Sequence, residues 1–226
     1  NLISNAMKFT DTGSITLRLK AWTEEPGGHA VLIEVADTGT GILRALAANE
    51  YSTTNAVGAN NNLLLDTATT SVAASVAPNS MTFQANAGLS LGNGVVLNLS
   101  SGGILARAGT ASVIAGGTIN QSAGFSPLNI WTVGALTIDS AFAGGNGIGN
   151  SAIGFVKAGE GTLTLSPPAP AISGLTGVGS NTMSGQVVIN AGTLKLDGTL
   201  NNTLQPSNYL SITSGTLDLN GTSQVT

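Results

Sequence analysis

The feature that most constrains this chain is a short motif, Gly-Thr-Leu-x-Leu, that recurs in its C-terminal part. Three close copies begin at Gly161, Gly192 and Gly215. The interval is 31 residues between the first two copies and 23 residues between the second and the third. Repetition at a period of this size is typical of stacked supersecondary units and not of one closed sheet. We therefore expect this part of the chain to fold as a series of similar layers.

The two leucines of each copy predict an interior face. Side chains alternate across a strand with a period of two, so both leucines leave the same face. If the copies stack in register, the leucines form two buried interior columns. The columns are Leu163, Leu194 and Leu217, and Leu165, Leu196 and Leu219. The residue between the leucines (Thr164, Lys195 or Asp218) is then expected on the outer face, where Lys195 and Asp218 would form an exposed ion pair.

The composition is that of a folded chain with many turns. Of the 226 residues, 42% are hydrophobic, 8% are charged and 31 are glycine. An ordinary soluble domain has about 25% charged residues, and disordered chains combine low hydrophobicity with high charge. Cysteine is absent. Neither disulfides nor thiolate metal sites can therefore hold the fold together.

The charge pattern excludes two classes of partner. Lysine and arginine number only seven and are scattered, and the formal net charge is −4. Binding to nucleic acid requires clustered cations that replace the counterions of phosphate, and an anionic membrane surface requires a polybasic segment. No apolar run approaches the ~20 residues of a membrane-spanning helix. We therefore expect no nucleic-acid partner and no membrane-spanning segment in this chain.

Charged residues divide the chain near residue 43, because they are much denser in residues 1–43 than in the remainder. Residues 44–61 are rich in Ala, Asn and Thr without a clear period, and we interpret them as a linker or junction. The third segment, residues 62–226, carries the repeats. The hydrophobic pattern of the first segment predicts a helix and two strands, which is an α+β layer. The predicted elements are a helix over Asn1–Phe9 and strands over Ser14–Trp22 and Ala30–Ala36.

Residues 1–43 resemble the ATP-binding domain of sensor histidine kinases. The segment Asn1-Leu-Ile-Ser-Asn5-Ala-Met-Lys8-Phe9-Thr10 is similar to the N box of that family, and Asp37-Thr-Gly39-Thr-Gly41-Ile42 is similar to its first glycine box. The resemblance implies that Asn5 coordinates the magnesium ion of the nucleotide, that Lys8 approaches phosphate and that Asp37 accepts from the adenine amino group. It also implies that the backbone at Gly39 and Gly41 passes close to the nucleotide, which suits residues without a Cβ.

The remaining parts of that kinase domain do not follow the two boxes. Within residues 1–226 there is no phosphoacceptor histidine segment before the N box and no second glycine box or lid after Ile42. We therefore interpret residues 1–43 as a truncated, inert remnant and expect no cofactor. The alternative is a fragment of an ATP-binding sensor histidine kinase in the cytoplasm, which would use ATP and magnesium in phosphotransfer signalling.

Two segments of the repeat region resemble the passenger-associated transport repeat of autotransporters. They are Val156-Lys-Ala-Gly-Glu-Gly-Thr-Leu-Thr-Leu-Ser166 and Asn181-Thr-Met-Ser-Gly-Gln-Val-Val-Ile-Asn-Ala-Gly-Thr-Leu-Lys-Leu196. The sequence departs from the family at Met183, where a tyrosine is usual, and by an inserted stretch at Pro167–Pro170. The resemblance implies a mainly β fold, namely a right-handed parallel β-helix (a solenoid) preceded by the short truncated α+β fragment.

The same resemblance implies a function and a location. It points to a structural or adhesive segment of a bacterial protein that is secreted or displayed on the cell surface, with extracellular or cell-surface glycans or proteins as partners. We expect no enzyme activity. Glycoside hydrolysis by the common route needs two carboxyl groups ~5–9.5 Å apart, and no motif pairs the acidic residues beyond residue 62.

Two single residues, His29 and Trp131, are candidate sites. The only histidine, His29, follows a turn signal, so a Ser-His-Asp triad would have to take it from outside the repeat region. Trp131 has two interpretations: a surface aromatic that stacks on sugars, or packing in the core or at the edge of a coil. The sequence favours packing for Trp131 and an exposed loop position for His29.

Overall fold

The computed structural model describes a chain made mostly of β-strand. The described residues are 15–24, 28–37, 48–52, 61–66, 69–84, 86–100, 102–121, 127–143, 153–168, 181, 183, 185–197, 200–201, 203–204 and 208–224. Contacts between Cα atoms divide the chain into one compact unit of residues 1–47 and a second of residues 48–226.

The first unit contains an antiparallel hairpin. Its strands are β1 (Ile15–Glu24) and β2 (Gly28–Asp37), which pair along their whole length. Both strands confirm the pattern in the sequence, with bounds that agree to within about two residues, the usual uncertainty of strand ends. The helix predicted over residues 1–9 lies outside the described residues.

The second unit is built of short strands, and a 3-10 turn at Ala48–Glu50 is the only helical element among its described residues. The strands in chain order are β3 (Tyr51–Ser52), β4 (Asn62–Leu65), β5 (Thr70–Val72), β6 (Ser80–Phe83), β7 (Gly88–Leu91), β8 (Val96–Leu99), β9 (Gly103–Ala106), β10 (Ala111–Gln121), β11 (Leu128–Thr132), β12 (Ala135–Ala143), β13 (Ile153–Ala158), β14 (Thr162–Leu165), β15 (Gln186–Ile189), β16 (Thr193–Leu196), β17 (Leu210–Ile212) and β18 (Thr216–Asp218).

These strands form two eight-stranded parallel sheets. Sheet 1 has the order β17-β15-β13-β11-β9-β6-β4-β3, and sheet 2 has the order β18-β16-β14-β12-β10-β7-β5, with β8 also paired to β10. From β9 onward the chain alternates between the sheets, so each strand pairs with the strand two places along. Parallel pairing requires a crossover between partners, and here the crossover contains a strand of the other sheet. The expectation of a mainly β chain is confirmed, with parallel strands in two sheets.

One hydrophobic core takes side chains from both sheets. Burial alternates along the strands: in β11, Leu128, Ile130 and Thr132 are buried, whereas Asn129 and Trp131 are exposed. This alternation follows from the pleat of a strand whose two faces meet different surroundings. The core therefore lies on one face of each sheet, and the other face carries the exposed side chains.

The leucine columns predicted from the repeats form in register. Leu163 lies opposite Leu194, which lies opposite Leu217, and Leu165 lies opposite Leu196. The four leucines of the first two copies are buried. The prediction is wrong for the last copy, because Leu217 is only partly buried and Leu219 is 38% exposed. The reason is that β18 ends at Asp218 and stands at the end of the order of sheet 2, so no described strand covers its far side.

Part of the segment predicted as a junction belongs to a sheet. Tyr51 and Ser52 form β3 and pair in parallel with Asn62 and Leu63 of β4. Pairing in sheet 1 therefore starts before residue 62. The stretch at residues 169–180, which follows Pro168, lies outside the described residues.

Candidate functional site

The residues that the kinase resemblance assigns to nucleotide are described only in part. Asn5, Lys8, Gly39 and Gly41 lie outside the described residues. Asp37 is the last residue of β2, opposite Ile15, and its backbone alone is described. The assignment of these residues to ATP, and of Asn5 to magnesium, stays a prediction.

No cluster of metal-ligating side chains is found in the part of the chain that the structure describes. There, no three His, Cys, Asp or Glu side chains lie close enough together to hold a metal ion. A depression beside β3 and β4 has a volume of about 180 Å³, whereas ligand pockets usually measure about 300–1,000 Å³. The depression is polar and is lined by Asn49, Glu50, Tyr51, Ser52, Asn61 and Asn62. Among the described residues, no helix has the length and apolar character needed to cross a membrane.

The most prominent surface feature of sheet 1 is Trp131, whose side chain is 54% exposed. The sequence favours packing of Trp131 in the core or at the edge of a coil, and the core position is wrong because the side chain is exposed. Trp131 lies between Leu105 of β9 and Ala158 of β13 on the outer face. A Cβ atom on Gly159 would come within 2.8 Å of the indole Nε1, so the absence of a side chain at Gly159 leaves room for the ring.

The strand that carries Trp131 presents a mixed polar and apolar ridge. Asn129 on one side of Trp131 is exposed, and so is Val133, just beyond the end of β11 on the other side. Asn129 is two residues from Trp131 on the same strand and leaves the same face, and Val133 is exposed in the bend that follows β11. An indole flanked by an amide and an aliphatic group offers stacking, hydrogen bonding and apolar contact to a partner.

The outer face of sheet 2 is lined by threonine. Thr162 lies opposite Thr193, which lies opposite Thr216. In the next row, Thr164 and Lys195 are partners in the same register. Threonine is favoured here because its branched side chain fits a pleated surface and its hydroxyl can pair across strands.

A charged side chain that the sequence reasoning missed lies in the interior. Lys157 on β13 is 0% exposed. Its Nζ donates hydrogen bonds to the carbonyl oxygens of Ala158 (3.0 Å), Gly159 (2.7 Å) and Ala191 (2.9 Å). Burial lowers the pKa of Lys157 from 10.5 to about 8, because the interior disfavours the charged form. The sequence does indicate this position, because Lys157 lies two residues after the buried Phe155 and alternation along a strand places both side chains on the same face.

Comparison with known proteins gives no match: no protein family, no curated protein and no solved structure resembles this chain closely enough to be assigned.

Proposed function

We propose that residues 62–226 are a segment of a right-handed parallel β-helix of the autotransporter-passenger kind, with a structural or adhesive role and no catalytic activity. The proposal places the protein outside the bacterial cell or on its surface. The observation that carries it is the register of the repeats. Their leucines Leu163, Leu194 and Leu217 stand opposite one another on β14, β16 and β18, which is what stacked copies of one coil require.

A rod of stacked coils suits a spacer or a binding face on the cell surface. Its strands are joined by backbone hydrogen bonds between coils, so its stability does not depend on disulfides or on a charged surface. The outer face of sheet 2 presents a row of threonines, Thr162, Thr193 and Thr216. The exposed ridge of β11 provides the adhesive part of the proposal, because Trp131 can stack on a sugar ring or pack against a protein.

Surface display tests the structural role. The full chain is fused between a secretion signal and a bacterial outer-membrane translocator, and exposure on intact cells is measured with an antibody and by resistance to added protease. We expect a displayed, protease-resistant chain. Leu194→Asp is the matched control, because it places a charge in the leucine column. Equal protease resistance of the two chains at the surface would contradict the proposal.

Adhesion is tested on the purified full chain with immobilised extracellular polysaccharides and matrix proteins. We expect retention on at least one of these surfaces and its loss in Trp131→Ala. Val113→Ala is the matched control, because Val113 is an exposed apolar residue on the other sheet. Equal retention of the two variants would show that Trp131 does not contribute to adhesion. If the unmodified chain is not retained on any surface, the adhesive role is contradicted and only the structural role stands.

A further inference from the structure

The three carbonyl oxygens around Lys157 come from two successive turns. Ala158 and Gly159 stand where β13 ends, and Ala191 stands in the turn after β15. An ammonium group has three N–H donors and no acceptor. Each donor therefore has one carbonyl partner, at distances between 2.7 and 3.0 Å. We call these three carbonyl groups the Lys157 cage.

Glycines allow the two turns to approach this closely. Gly192 has a φ of 66°, and a Cβ atom there would lie 2.4 Å from the carbonyl oxygens of both Gly159 and Gly161. A Cβ atom on Gly159 would lie 2.4 Å from the carbonyl oxygen of Thr132. Carbonyl oxygen atoms from the two turns are thus brought together around Nζ of the buried Lys157. A buried acceptor is costly unless a donor satisfies it, and Nζ of Lys157 carries three donors.

In the described part of the chain, no carboxylate supplies a counter-charge to Lys157. Lys157 is the only buried charged side chain among the described residues. The inward partners of Lys157 on the strands packed against β13 are Ile130 of β11 and Ile189 of β15, which are uncharged. The nearest acidic residue along the chain, Glu160, is exposed. The carbonyl dipoles therefore hold the ammonium group without an ion pair.

We infer that the turns after β13 and β15 form a cation-binding site of backbone carbonyls, that its occupant is the ammonium group of Lys157, and that this internal cation locks the two turns together. The site offers one acceptor to each of the three N–H donors of a primary ammonium, which a hydroxyl or alkyl group of the same size cannot match. A small alkylammonium from solution is then expected to occupy the Lys157 cage when the side chain is shortened.

Chemical rescue of the full chain tests this inference. Lys157→Ala removes the atoms that n-propylammonium replaces, and we expect its Tm to fall by about 5–10 °C, as when one partner of a buried polar network is removed. Millimolar n-propylammonium is expected to raise the Tm of this variant in a saturable manner and to leave the unmodified chain unchanged. The matched controls are 1-propanol, which has the same length without charge, and Lys157→Met, which fills the space without a cation.

Trp131 provides a local readout, because its indole lies against Gly159. In a Trp22→Phe background, which leaves Trp131 as the only tryptophan, the emission of Lys157→Ala should shift and return with n-propylammonium. A Tm for Lys157→Met equal to that of the unmodified chain would contradict the inference that the ammonium group of Lys157 holds the two turns together. An equal rise in the Tm of Lys157→Ala with 1-propanol would contradict the inference that the site binds a cation. If Lys157→Ala does not fold alone, refolding with n-propylammonium but not with 1-propanol supports the inference, and refolding with neither overturns it.

Discussion

Lys195 on β16 lies directly opposite Asp218 on β18, in adjacent parallel strands of sheet 2. The expected neighbour relation is present, but among the described contacts these side chains form no ion pair. Instead, Oδ1 of Asp218 accepts a hydrogen bond from the backbone N–H of Asn220 at 2.9 Å. The carboxylate thus supports the turn that follows its own strand, and solvent screening would make an ion pair between such accessible groups weak in any case.

A double-mutant cycle on these two residues should show little coupling. We expect the effects of Lys195→Ala and Asp218→Ala on the free energy of unfolding to add to within about 1 kcal/mol, because an exposed pair contributes about 0–1 kcal/mol. Denaturant unfolding of the full chain and its three variants measures this. A coupling energy well above that range would show that the two charges interact directly.

Leu194→Ala should destabilise the chain strongly. Leu194 is fully buried between Leu163 and Leu217 in the leucine column. Its truncation removes apolar contacts and leaves a cavity, so the free energy of unfolding should fall by about 2–5 kcal/mol. Leu219→Ala is the control, since Leu219 lies beyond the end of β18 and should cost only about 0.5 kcal/mol. Similar losses in the two variants would contradict the interior column.

The leucine columns were predictable because two simple rules agree on them. The period of two places both leucines of a copy on one face, and the repeated motif places successive copies in register. The exposure of Leu219 was not predictable from the motif. The motif states which face a residue occupies, whereas burial also depends on whether a further strand covers that position.

For Trp131 and Lys157, the two sequence rules that predict burial disagree: position in the alternation along the strand, and hydrophobicity of the residue type. Trp131 alternates with the buried Leu128 and Ile130, which places it outside, whereas Lys157 lies two residues after the buried Phe155, which places it inside. Residue type alone argues the reverse in each case, because lysine is rarely fully buried. The buried position of Lys157 depends on acceptors from a turn 34 residues away, at Ala191, which no local pattern indicates.

Engineered cysteines test the register of the repeats directly, because the chain has no cysteine of its own. Thr164 and Lys195 are partners on neighbouring strands, which lie about 4.8 Å apart in a sheet. The pair Thr164→Cys and Lys195→Cys should therefore form a disulfide on mild oxidation, which requires Cα atoms about 4.4–6.8 Å apart. Titration of free thiols under denaturing conditions measures the bond.

The control pair is Thr164→Cys with Asp218→Cys. These residues belong to strands that are separated by β16, so their Cα atoms should be about 9–10 Å apart, too far for a disulfide. Efficient closure of the control pair, or failure of the neighbouring pair, would show that the copies are not stacked in this order.

Nucleotide should not bind tightly to this chain. Asn5, Lys8, Asp37, Gly39 and Gly41 match parts of two kinase boxes, but the sequence lacks the second glycine box and the lid that supply further phosphate contacts. We expect calorimetric titration of the full chain with ATP and magnesium to give no signal at micromolar concentrations. A Kd near ~10 μM, about −7 kcal/mol, that is lost in Asp37→Ala would favour the kinase alternative.

The pKa of Lys157 predicts how stability depends on pH. In the folded chain burial lowers this pKa from 10.5 to about 8, whereas the unfolded chain keeps the ordinary value. Between these two values the unfolded state binds more protons than the folded state. The free energy of unfolding should therefore rise as the pH is raised from about 8 to 10.5, and below about 8 Lys157 should add no slope because it is protonated in both states.

Lys157→Met isolates this effect from the other groups that titrate in the same range. Denaturant unfolding at pH 7, 9 and 10.5 should show a steeper rise for the unmodified chain than for Lys157→Met, because only the former carries the buried amine. Lys195→Met serves as the surface control, since it removes a lysine that is only partly buried. The same pH dependence in the unmodified chain and Lys157→Met would mean that Lys157 keeps its proton in the folded state throughout this range.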